Sequence, residues 1–335
     1  MKQAWYIAAE ARSLRGKPLA VTVCGEHLVL FRGADGQVTA LEDRCSHRAV
    51  ALSRGKLASG CVVCPYHGWT FDAAGICVAI PAGRAEDPIP SGSVVRRFPA
   101  VEQDGYVWVW PADGEARGTP FAIPHMRERG WAWMRLECDI RNNFFNVVEN
   151  FIDNPHTGYI HGGLFRSPAS HLAHHTVRTA EDGVVIDIEE EAKADSLLGR
   201  LLLRKGERVT HQDRFIAPAT VQVHYGFGKL GEAIGWQFCT PVTDGRTHVF
   251  VHVAWSAGWL TPLIRPFAPW VGRVILAQDQ DVLDHQGEQI QRFPGRPFCS
   301  TGADTANLWI AGHLRRSEAG DPPQKAHEKR VTFRL

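Results

Sequence analysis

Two stretches, RCSHRAV at residues 44–50 and CVVCPYHGW at residues 61–69, each place a cysteine close to a histidine. The pairs, separated by sixteen residues, are Cys45 with His47 and Cys64 with His67. The chain of 335 residues has only eight cysteines, too few for a disulfide scaffold. Their clustering with histidine therefore predicts a metal site.

The alternation of ligands separates two kinds of metal site. Structural zinc is usually held by pairs of like ligands, for example Cys-x2-Cys. Here each loop offers one thiolate and one imidazole, which favours a Rieske-type [2Fe–2S] cluster, in which two histidines bind one of the two irons. A Cys2His2 zinc site is the alternative. Cys61 lies outside the pattern and is expected to be a buried strand residue, whereas Trp69 either shields the cluster or belongs to the core.

Composition excludes several classes of function. The 37 basic and 36 acidic residues leave a net charge of +1, which gives no electrostatic basis for binding nucleic acid or an anionic membrane. No run of about 18 apolar residues occurs and no signal-peptide pattern opens the chain, so we expect a cytoplasmic protein without membrane contact. The chain also lacks a dinucleotide-binding fingerprint. A redox centre in this chain would therefore receive electrons from NAD(P)H only through a separate reductase, with or without a ferredoxin.

Strand patterns surround the two cysteine–histidine loops. LAVTVCGEHLVLFRG at 19–33 holds two apolar runs around a turn, and GYVWVWP at 105–111 alternates and stops at Pro111. The Gly-rich segment PADGEARGTP that follows is typical of a linker. We therefore predict an all-β domain over residues 1–115 and a second domain over residues 116–335.

A second histidine pair lies in NNFFNVVENFIDNPHTGYIHGGLF at 142–165, whose apolar residues recur at helical spacing. Pro155 and Gly158 make an uninterrupted helix improbable, and a break there brings His156 and His161 toward one metal. Two histidines and a carboxylate that leave open coordination positions are typical of non-haem Fe(II) sites that activate O2. In the alternative interpretation, both histidines are surface residues and Asp153 only turns the chain.

The carboxylate must come from elsewhere in the chain. PWVGRVILAQDQDVLDHQGEQIQRF at 269–293 predicts a long helix that carries Asp279, Asp281 and Asp284. Four strand patterns precede it, and the family resemblance given below implies that they form an antiparallel sheet, which can enclose an apolar pocket. Candidate pocket walls are Phe215, Val223, Tyr225, Trp236, Phe238, Val251 and Trp255. The leucines of segment 194–207 are expected to form either a lid or a subunit contact.

The order of these motifs along the whole chain resembles the catalytic subunits of Rieske non-haem iron oxygenases. The segment FPAVEQDGYVWVWP and the N-terminal strands look most like the vanillate O-demethylase branch of monooxygenases. The second loop departs from that branch, with CPYHGW in place of a CGYHGL-like sequence. The resemblance implies an α+β fold, with an N-terminal all-β Rieske domain and a C-terminal helix-grip, START-like catalytic domain built on an antiparallel sheet.

The resemblance also implies roles for individual residues. The ligands of the [2Fe–2S] cluster would be Cys45, His47, Cys64 and His67. The ligands of a mononuclear Fe(II) would be His156, His161 and Asp279, with Asp281 as the alternative carboxylate. Asp153 would accept a hydrogen bond from an iron-bound histidine and bridge to a cluster histidine of a neighbouring subunit. Asn150 either supports this site or lies on the helix surface.

The expected function is that of a terminal oxygenase in a head-to-tail homotrimer. It would use O2 to hydroxylate or demethylate a hydrophobic, aromatic small molecule, in preference to cis-dihydroxylation of a ring. Two alternatives belong to other classes of protein. A Rieske-type electron carrier would hold only the cluster iron, and a zinc-organised START-like binding protein would be colourless and redox-silent.

Overall fold

The computed structural model describes residues 2–84, 86–162, 172–188, 209–322 and 325–334. The leucine-rich segment 194–207 lies outside these residues. The chain divides into two compact units, Lys2–Ile123 and Pro124–Leu335. The predicted domain boundary after residue 115 falls eight residues before this division. No helix among the described residues is long and apolar enough to cross a membrane.

The first unit is built from short antiparallel strands, as predicted. Their bounds are β1 Tyr6–Glu10, β2 Leu19–Val23, β3 Glu26–Arg32, β4 Val38–Glu42, β5 Lys56–Ala58, β6 Cys61–Val63, β7 Thr70–Phe71, β8 Cys77–Ala79, β9 Arg97–Phe98, β10 Ala100–Gln103 and β11 Tyr106–Val109. Three sheets result, in the orders β1-β11-β10, β2-β3-β4-β9 and β5-β6-β7-β8.

Turn chemistry and apolar patterning explain this arrangement. Cys24 and Gly25 both adopt positive φ, which gives the tight turn between β2 and β3 the twist that a two-residue hairpin requires. Apolar side chains of β3, β4, β6 and β7 form one buried cluster, which also contains Cys45 and Cys64. Both thiols are therefore part of the core that supports the two loops. Cys61 begins β6, as expected, but is only half-buried.

The second unit combines one large sheet with helices. The sheet strands are β12 Ala132–Ile140, β13 Leu172–Ala180, β14 Gly183–Ile188, β15 Thr210–Ile216, β16 Thr220–Gly226, β17 Glu232–Thr243, β18 Arg246–Ser256 and β19 Glu328–Arg334. They are antiparallel in the order β12-β18-β17-β16-β15-β14-β13-β19. The helices are α1 Phe144–Ile152, α2 Thr157–Ile160, α3 Thr261–Ile264, α4 Ala268–Arg292 and α5 Thr305–Ala319. The α+β prediction is confirmed.

Two local features position the helices that carry the second histidine pair and its carboxylate. The Asn143 side chain caps α1 by accepting from the backbone N–H of Asn146. The helix ends at Ile152, and its C-cap Asp153 is already extended, close to Asn154, which precedes Pro155 and therefore disfavours helical backbone. Helix α4 packs directly on the end of β12. A Cβ at Gly287 would lie 2.0 Å from the carbonyl oxygen of Arg141, so only glycine allows this approach.

Candidate metal centres and substrate cavity

The first cysteine–histidine loop is a tight turn closed by two backbone hydrogen bonds. The N–H of Cys45 donates to the carbonyl of Val50 at 2.9 Å, and the N–H of Ala49 donates to the carbonyl of Cys45 at 2.9 Å. Ala49 has φ +59°, a left-handed conformation that L-residues seldom adopt. The turn carries Cys45 and His47, and the Cys45 thiol is buried.

The second loop repeats this turn. The N–H of Cys64 donates to the carbonyl of Trp69 at 2.8 Å, and the N–H of Gly68 donates to the carbonyl of Cys64 at 3.1 Å. Gly68 has φ +72° and occupies the place of Ala49 in the first loop. The two loops therefore present a cysteine and a histidine by the same backbone device.

The four side chains of the loops face one another. Both thiols are buried, at 1% and 3% exposure for Cys45 and Cys64, and the ring centroids of His47 and His67 are 4.7 Å apart. The Nδ1 atom of His47 is buried and has no hydrogen-bond partner among the described residues. Two thiols and two imidazoles, one with an unused nitrogen, fit the ligand set of a Rieske cluster.

Electrostatics at the loops suits neutral imidazoles. Burial and the nearby positive charge of His67 lower the pKa of His47. Burial raises the pKa of Cys45, as does the neighbouring Cys64 thiol, while the backbone N–H of His47 acts in the opposite direction. Trp69 stacks on His47 with 4.6 Å between ring centroids and an angle of 6°, and it also packs on the core. Trp69 therefore packs on the core and also covers the His47 ring, while its shielding of a cluster stays a prediction.

The second histidine pair converges on one carboxylate. His156 and His161 bracket the short helix α2, and Asp279 comes from the middle of α4. The Nε2 atoms of His156 and His161 lie 3.6 and 3.2 Å from Oδ1 of Asp279. The donor atoms of the three residues all lie within 4.8 Å of one another. Two imidazoles and one carboxylate are the donor set of the non-haem Fe(II) triad.

Two of these three side chains, those of His161 and Asp279, have a hydrogen-bonded neighbour that orients them. Oε1 of Gln278 lies 2.9 Å from Nδ1 of His161, and Nδ2 of Asn150 donates to Oδ1 of Asp279 at 3.2 Å. Such partners fix the tautomer and direction of metal-binding groups. Sequence analysis missed Gln278, for which the only signal was its position next to Asp279.

Asp153 lies beside His156. Its Oδ2 accepts from the backbone N–H of His156 at 3.2 Å and lies 3.4 Å from the ring Nδ1, which has no hydrogen bond within the described chain. The side chain of Asp153 is 25% exposed. One carboxylate therefore reaches both the imidazole and the surface.

The other acidic residues of α4 point elsewhere. Asp281 is exposed, and Asp284 accepts from the backbone N–H of Arg141 at 2.6 Å. Only Asp279, at 4% exposure, is turned toward the histidines. Burial by itself lowers the pKa of His161, but the hydrogen bond and negative charge of Asp279 outweigh it, so the pKa of His161 is raised.

A buried polar network supports the break between α1 and α2. Nδ2 of Asn154 donates to Oδ2 of Asp213 at 2.7 Å, and Nε2 of His211 lies 2.7 Å from the other oxygen of that carboxylate. The carbonyl of Asn154 accepts from the N–H and hydroxyl of Thr157. Strand β15 thus holds the turn from which His156 emerges. Sequence analysis did not detect this network, because its members are 57 residues or more apart from Asn154 in the chain.

An apolar cavity of about 620 Å³ adjoins Asp279, lined mainly by β12, β17, β18 and α4. Of the predicted wall residues, Val251 and Trp255 line it. The prediction is wrong for the other five. Register explains two of them, since Trp236 and Phe238 pair with Gln222 and Thr220 and share the sheet face opposite to the cavity. Phe215, Val223 and Tyr225 lie on the cavity side of β15 and β16 but outside its lining.

Comparison with known proteins gives two family matches. Residues 4–99 match the Rieske [2Fe-2S] domain, and residues 140–316 match the vanillate O-demethylase oxygenase C-terminal domain. A vanillate O-demethylase oxygenase subunit from Pseudomonas sp. (strain ATCC 19151) is 28% identical over 85% of this chain and 92% of its own length. The dicamba O-demethylase oxygenase component of Stenotrophomonas maltophilia is 39% identical, and the match spans about half of each chain, 48% of both.

The fold has a close counterpart among solved structures. The crystal structure of dicamba monooxygenase bound to dicamba superposes with a TM-score of 0.81 at 26% identity, covering 95% of this chain and 98% of that one. The putative toluene-4-sulfonate monooxygenase subunit TsaM2 of Comamonas testosteroni is 40% identical, over 48% of this chain and 46% of its own. The similarity of sequence and fold thus extends over both units of the chain.

Proposed function

The chain belongs to the vanillate O-demethylase family of Rieske non-haem iron oxygenases and is a terminal oxygenase, and we propose that it hydroxylates or demethylates a hydrophobic aromatic molecule. Relatives are named as oxygenase components or subunits, so a separate reductase supplies the electrons. The observation that carries the proposal is the meeting of His156, His161 and Asp279 at the wall of an apolar cavity. We propose monooxygenation because two of the relatives are named as O-demethylases.

We assign ligands and domains on the geometry described above. The cluster ligands are Cys45, His47, Cys64 and His67. The mononuclear iron ligands are His156, His161 and Asp279. When bound, the cluster supplies single electrons and the iron binds and activates O2. We assign the electron-transfer function to residues 1–115 and the catalytic function to residues 116–335.

The protein's own residues prepare the site. Gln278 and Asp279 hold the His161 ring from its two nitrogens, so that its Nε2 faces the other ligands. Asp153 is placed to accept a hydrogen bond from Nδ1–H of His156, a tautomer that leaves Nε2 free to bind metal. The apolar cavity wall holds an aromatic ring and excludes water from the reacting atoms.

Turnover with a surrogate reductase tests the function. The purified protein should contain about three iron ions and two acid-labile sulfides per chain, from one [2Fe–2S] cluster and one mononuclear site. NADH and O2 consumption should then depend on an aromatic substrate. An electron carrier would hold about two iron ions and show no such dependence. One zinc ion per chain without sulfide would instead support the zinc-organised binding protein.

We further propose a head-to-tail homotrimer in which Asp153 bridges to the cluster histidine of a neighbouring subunit. Its exposure beside the His156 ring supports this role, and a closed ring of identical chains satisfies such a heterologous contact. The cluster-deficient variant His67→Ala and the iron-deficient variant His161→Ala should each be inactive. Activity should return in mixed oligomers, because an intact cluster can then serve an intact iron site on the next chain. Mixed oligomers that form but stay inactive would contradict the trimer proposal.

A further inference from the structure

The cavity beside Asp279 is apolar except at a few positions. The polar residues of its lining are Glu232, Gln237, Ser256 and Asp279. Within the described ranges, no lysine, arginine or histidine lines it. Its volume of about 620 Å³ corresponds to about 20 non-hydrogen atoms at the ~30 Å³ that one water occupies in the liquid. The described wall of the cavity therefore suits a largely apolar molecule, and none of the lining residues that the structure describes offers a cation to an anionic group.

Gln237 supplies the missing recognition element. Its Oε1 is buried and has no hydrogen-bond partner among the described residues. Its Nε2 lies over Gly235, where an added Cβ would come within 3.2 Å. A buried acceptor without a donor is unfavourable, so a ligand that brings an O–H or N–H group to Oε1 would stabilise the filled cavity.

A second polar atom in the wall is also uncharged. Nε1 of Trp255 is buried without a partner in the described part of the chain. Gln237 pairs with Val251 in the sheet, four residues from Trp255 along β18. The two backbones are thus about 13 Å apart along the strand. One indole N–H can hydrogen-bond a ligand but cannot balance a buried negative charge.

Bound iron does not change this balance of charge. The two positive charges of Fe(II) are matched by the carboxylates of Asp279 and Asp153, both of which lie against the histidines. Glu232 adds a negative charge at the cavity wall, where His224 pairs with it at 2.8 Å. A carboxylate or sulfonate group would therefore lose its hydration without gaining a counter-charge.

We infer that the substrate is a neutral, largely apolar aromatic molecule that donates a hydrogen bond to Oε1 of Gln237, and that aromatic carboxylates and sulfonates are excluded. This inference rests on the proposed function for the identity of the site. The inferred substrate differs in charge from the compounds for which two relatives are named. Those compounds, vanillate and toluene-4-sulfonate, carry the groups that this cavity does not accommodate.

Binding of matched probes to the anaerobic holoprotein tests the inference, with tryptophan fluorescence as the readout. The probes are 4-hydroxybiphenyl, 4-methylbiphenyl, which replaces the donor by a methyl group, and biphenyl-4-carboxylate. The phenol should bind more than about a hundredfold more tightly than the carboxylate, because the buried anion stays unpaired. In Gln237→Leu, the preference for hydroxyl over methyl should fall by about tenfold.

The matched control is Gln212→Leu. Gln212 belongs to β15 on the sheet face opposite to the cavity, where its amide donates to Asp187, so the ratio of the two dissociation constants should not change. The probe 4-methoxybiphenyl only accepts hydrogen bonds and should be indifferent to Gln237→Leu.

Three results would overturn the inference. They are a carboxylate that binds as tightly as the phenol, an unchanged hydroxyl-to-methyl ratio in Gln237→Leu, and no binding of any probe below about 1 mM. If the methoxy probe alone loses affinity in Gln237→Leu, the amide presents its NH2 group and the donor requirement is wrong. Binding is measured without turnover. An inactive protein that keeps the predicted preferences would contradict the proposed function and leave this inference standing.

Discussion

The two candidate metal sites differ in how far apart their ligands are in the sequence. All four proposed cluster ligands come from two similar turns within residues 45–67, whereas the proposed iron site joins His156 and His161 to a carboxylate 118 residues beyond His161. Backbone hydrogen bonds inside each turn shape the first site. The second depends on the packing of α4 against β12 and on buried partners from β15. Local geometry determines one site, and tertiary structure determines the other.

The histidines of the two sites also have opposite electrostatic surroundings. His47 faces another imidazole, and burial together with the charge of His67 lowers its pKa. His161 faces Asp279, whose hydrogen bond and charge outweigh burial and raise its pKa. His47 therefore favours its neutral form, whereas His161 can hold a proton beside Asp279 when metal is absent.

The largest expected effect comes from removing the distant ligand. Asp279→Ala should lower mononuclear iron affinity and turnover by more than about a hundredfold, since even the loss of a supporting partner costs 10–100-fold. Iron analysis and O2 consumption are the measurements. The visible spectrum of the cluster should persist, because its ligands belong to the other unit. Asp281→Ala, at an exposed position two residues away, is the control. If this control loses the iron instead, the carboxylate assignment is wrong.

A smaller effect should follow from loosening the turn that carries His156. Asp213→Asn removes the charge that Asn154 and His211 share, and mononuclear iron affinity should fall by roughly 10–100-fold with the cluster intact. Asp187→Asn is the control, because Asp187 pairs with Gln212 on the opposite face of the sheet. Iron affinity equal to that of the control in a titration of the apo site would show that β15 does not position His156.

The residues of the two sites could be predicted from the sequence to different extents. The spacing of Cys45, His47, Cys64 and His67 carried its own signal, because all are held by turns that a short pattern describes. Asp279 was separable from Asp281 only by family resemblance, since the direction of a side chain on α4 depends on packing. The Asn154 and Asp213 contact had no sequence signal at all.

Five of the seven predicted cavity walls were wrong. Trp236 and Phe238 were misplaced because alternation reveals the two faces of a strand but not which face a helix covers. Phe215, Val223 and Tyr225 are on the correct face, but alternation does not show how far along the sheet the cavity extends.

For each pH unit of acidification, the iron affinity of the mononuclear site should fall by about tenfold relative to the stability of the cluster. The pKa of His161 is raised, so protons compete with iron already above pH 6.5, the ordinary histidine value. The lowered pKa of His47 delays the same competition at the cluster. From pH 8 to pH 6, mononuclear iron should be lost while the cluster absorbance stays constant. Loss of both metals in parallel would contradict the assigned electrostatics.

The raised pKa of His161 also makes the stability of the apo protein depend on pH. Because the folded pKa of His161 lies above its unfolded value, protonation stabilises the fold, fully below about pH 6.5. This contribution disappears as the pH rises through the raised pKa. The apo protein should therefore gain in Tm, relative to the iron-loaded protein, when the pH is lowered from 8 to 6.

The smallest effect concerns the position at which both turns adopt a left-handed backbone. Ala49 and Gly68 occupy equivalent positions with φ +59° and +72°, but only the second is glycine, and left-handed backbone disfavours a residue with a Cβ. Ala49→Gly should therefore stabilise the first loop by about 0.5–1 kcal/mol, partly offset by the greater freedom of glycine in the unfolded chain. Its Tm, followed by cluster bleaching, should rise by about 1–3 °C.

Gly68→Ala should have the opposite sign, because its Cβ would also come within 2.9 Å of the Pro81 ring. Mononuclear iron content should be unchanged in both variants, since neither turn contributes to that site. If both substitutions lower the Tm, the two turns are not equivalent, and the first loop requires the alanine methyl group for a contact that outweighs its backbone strain.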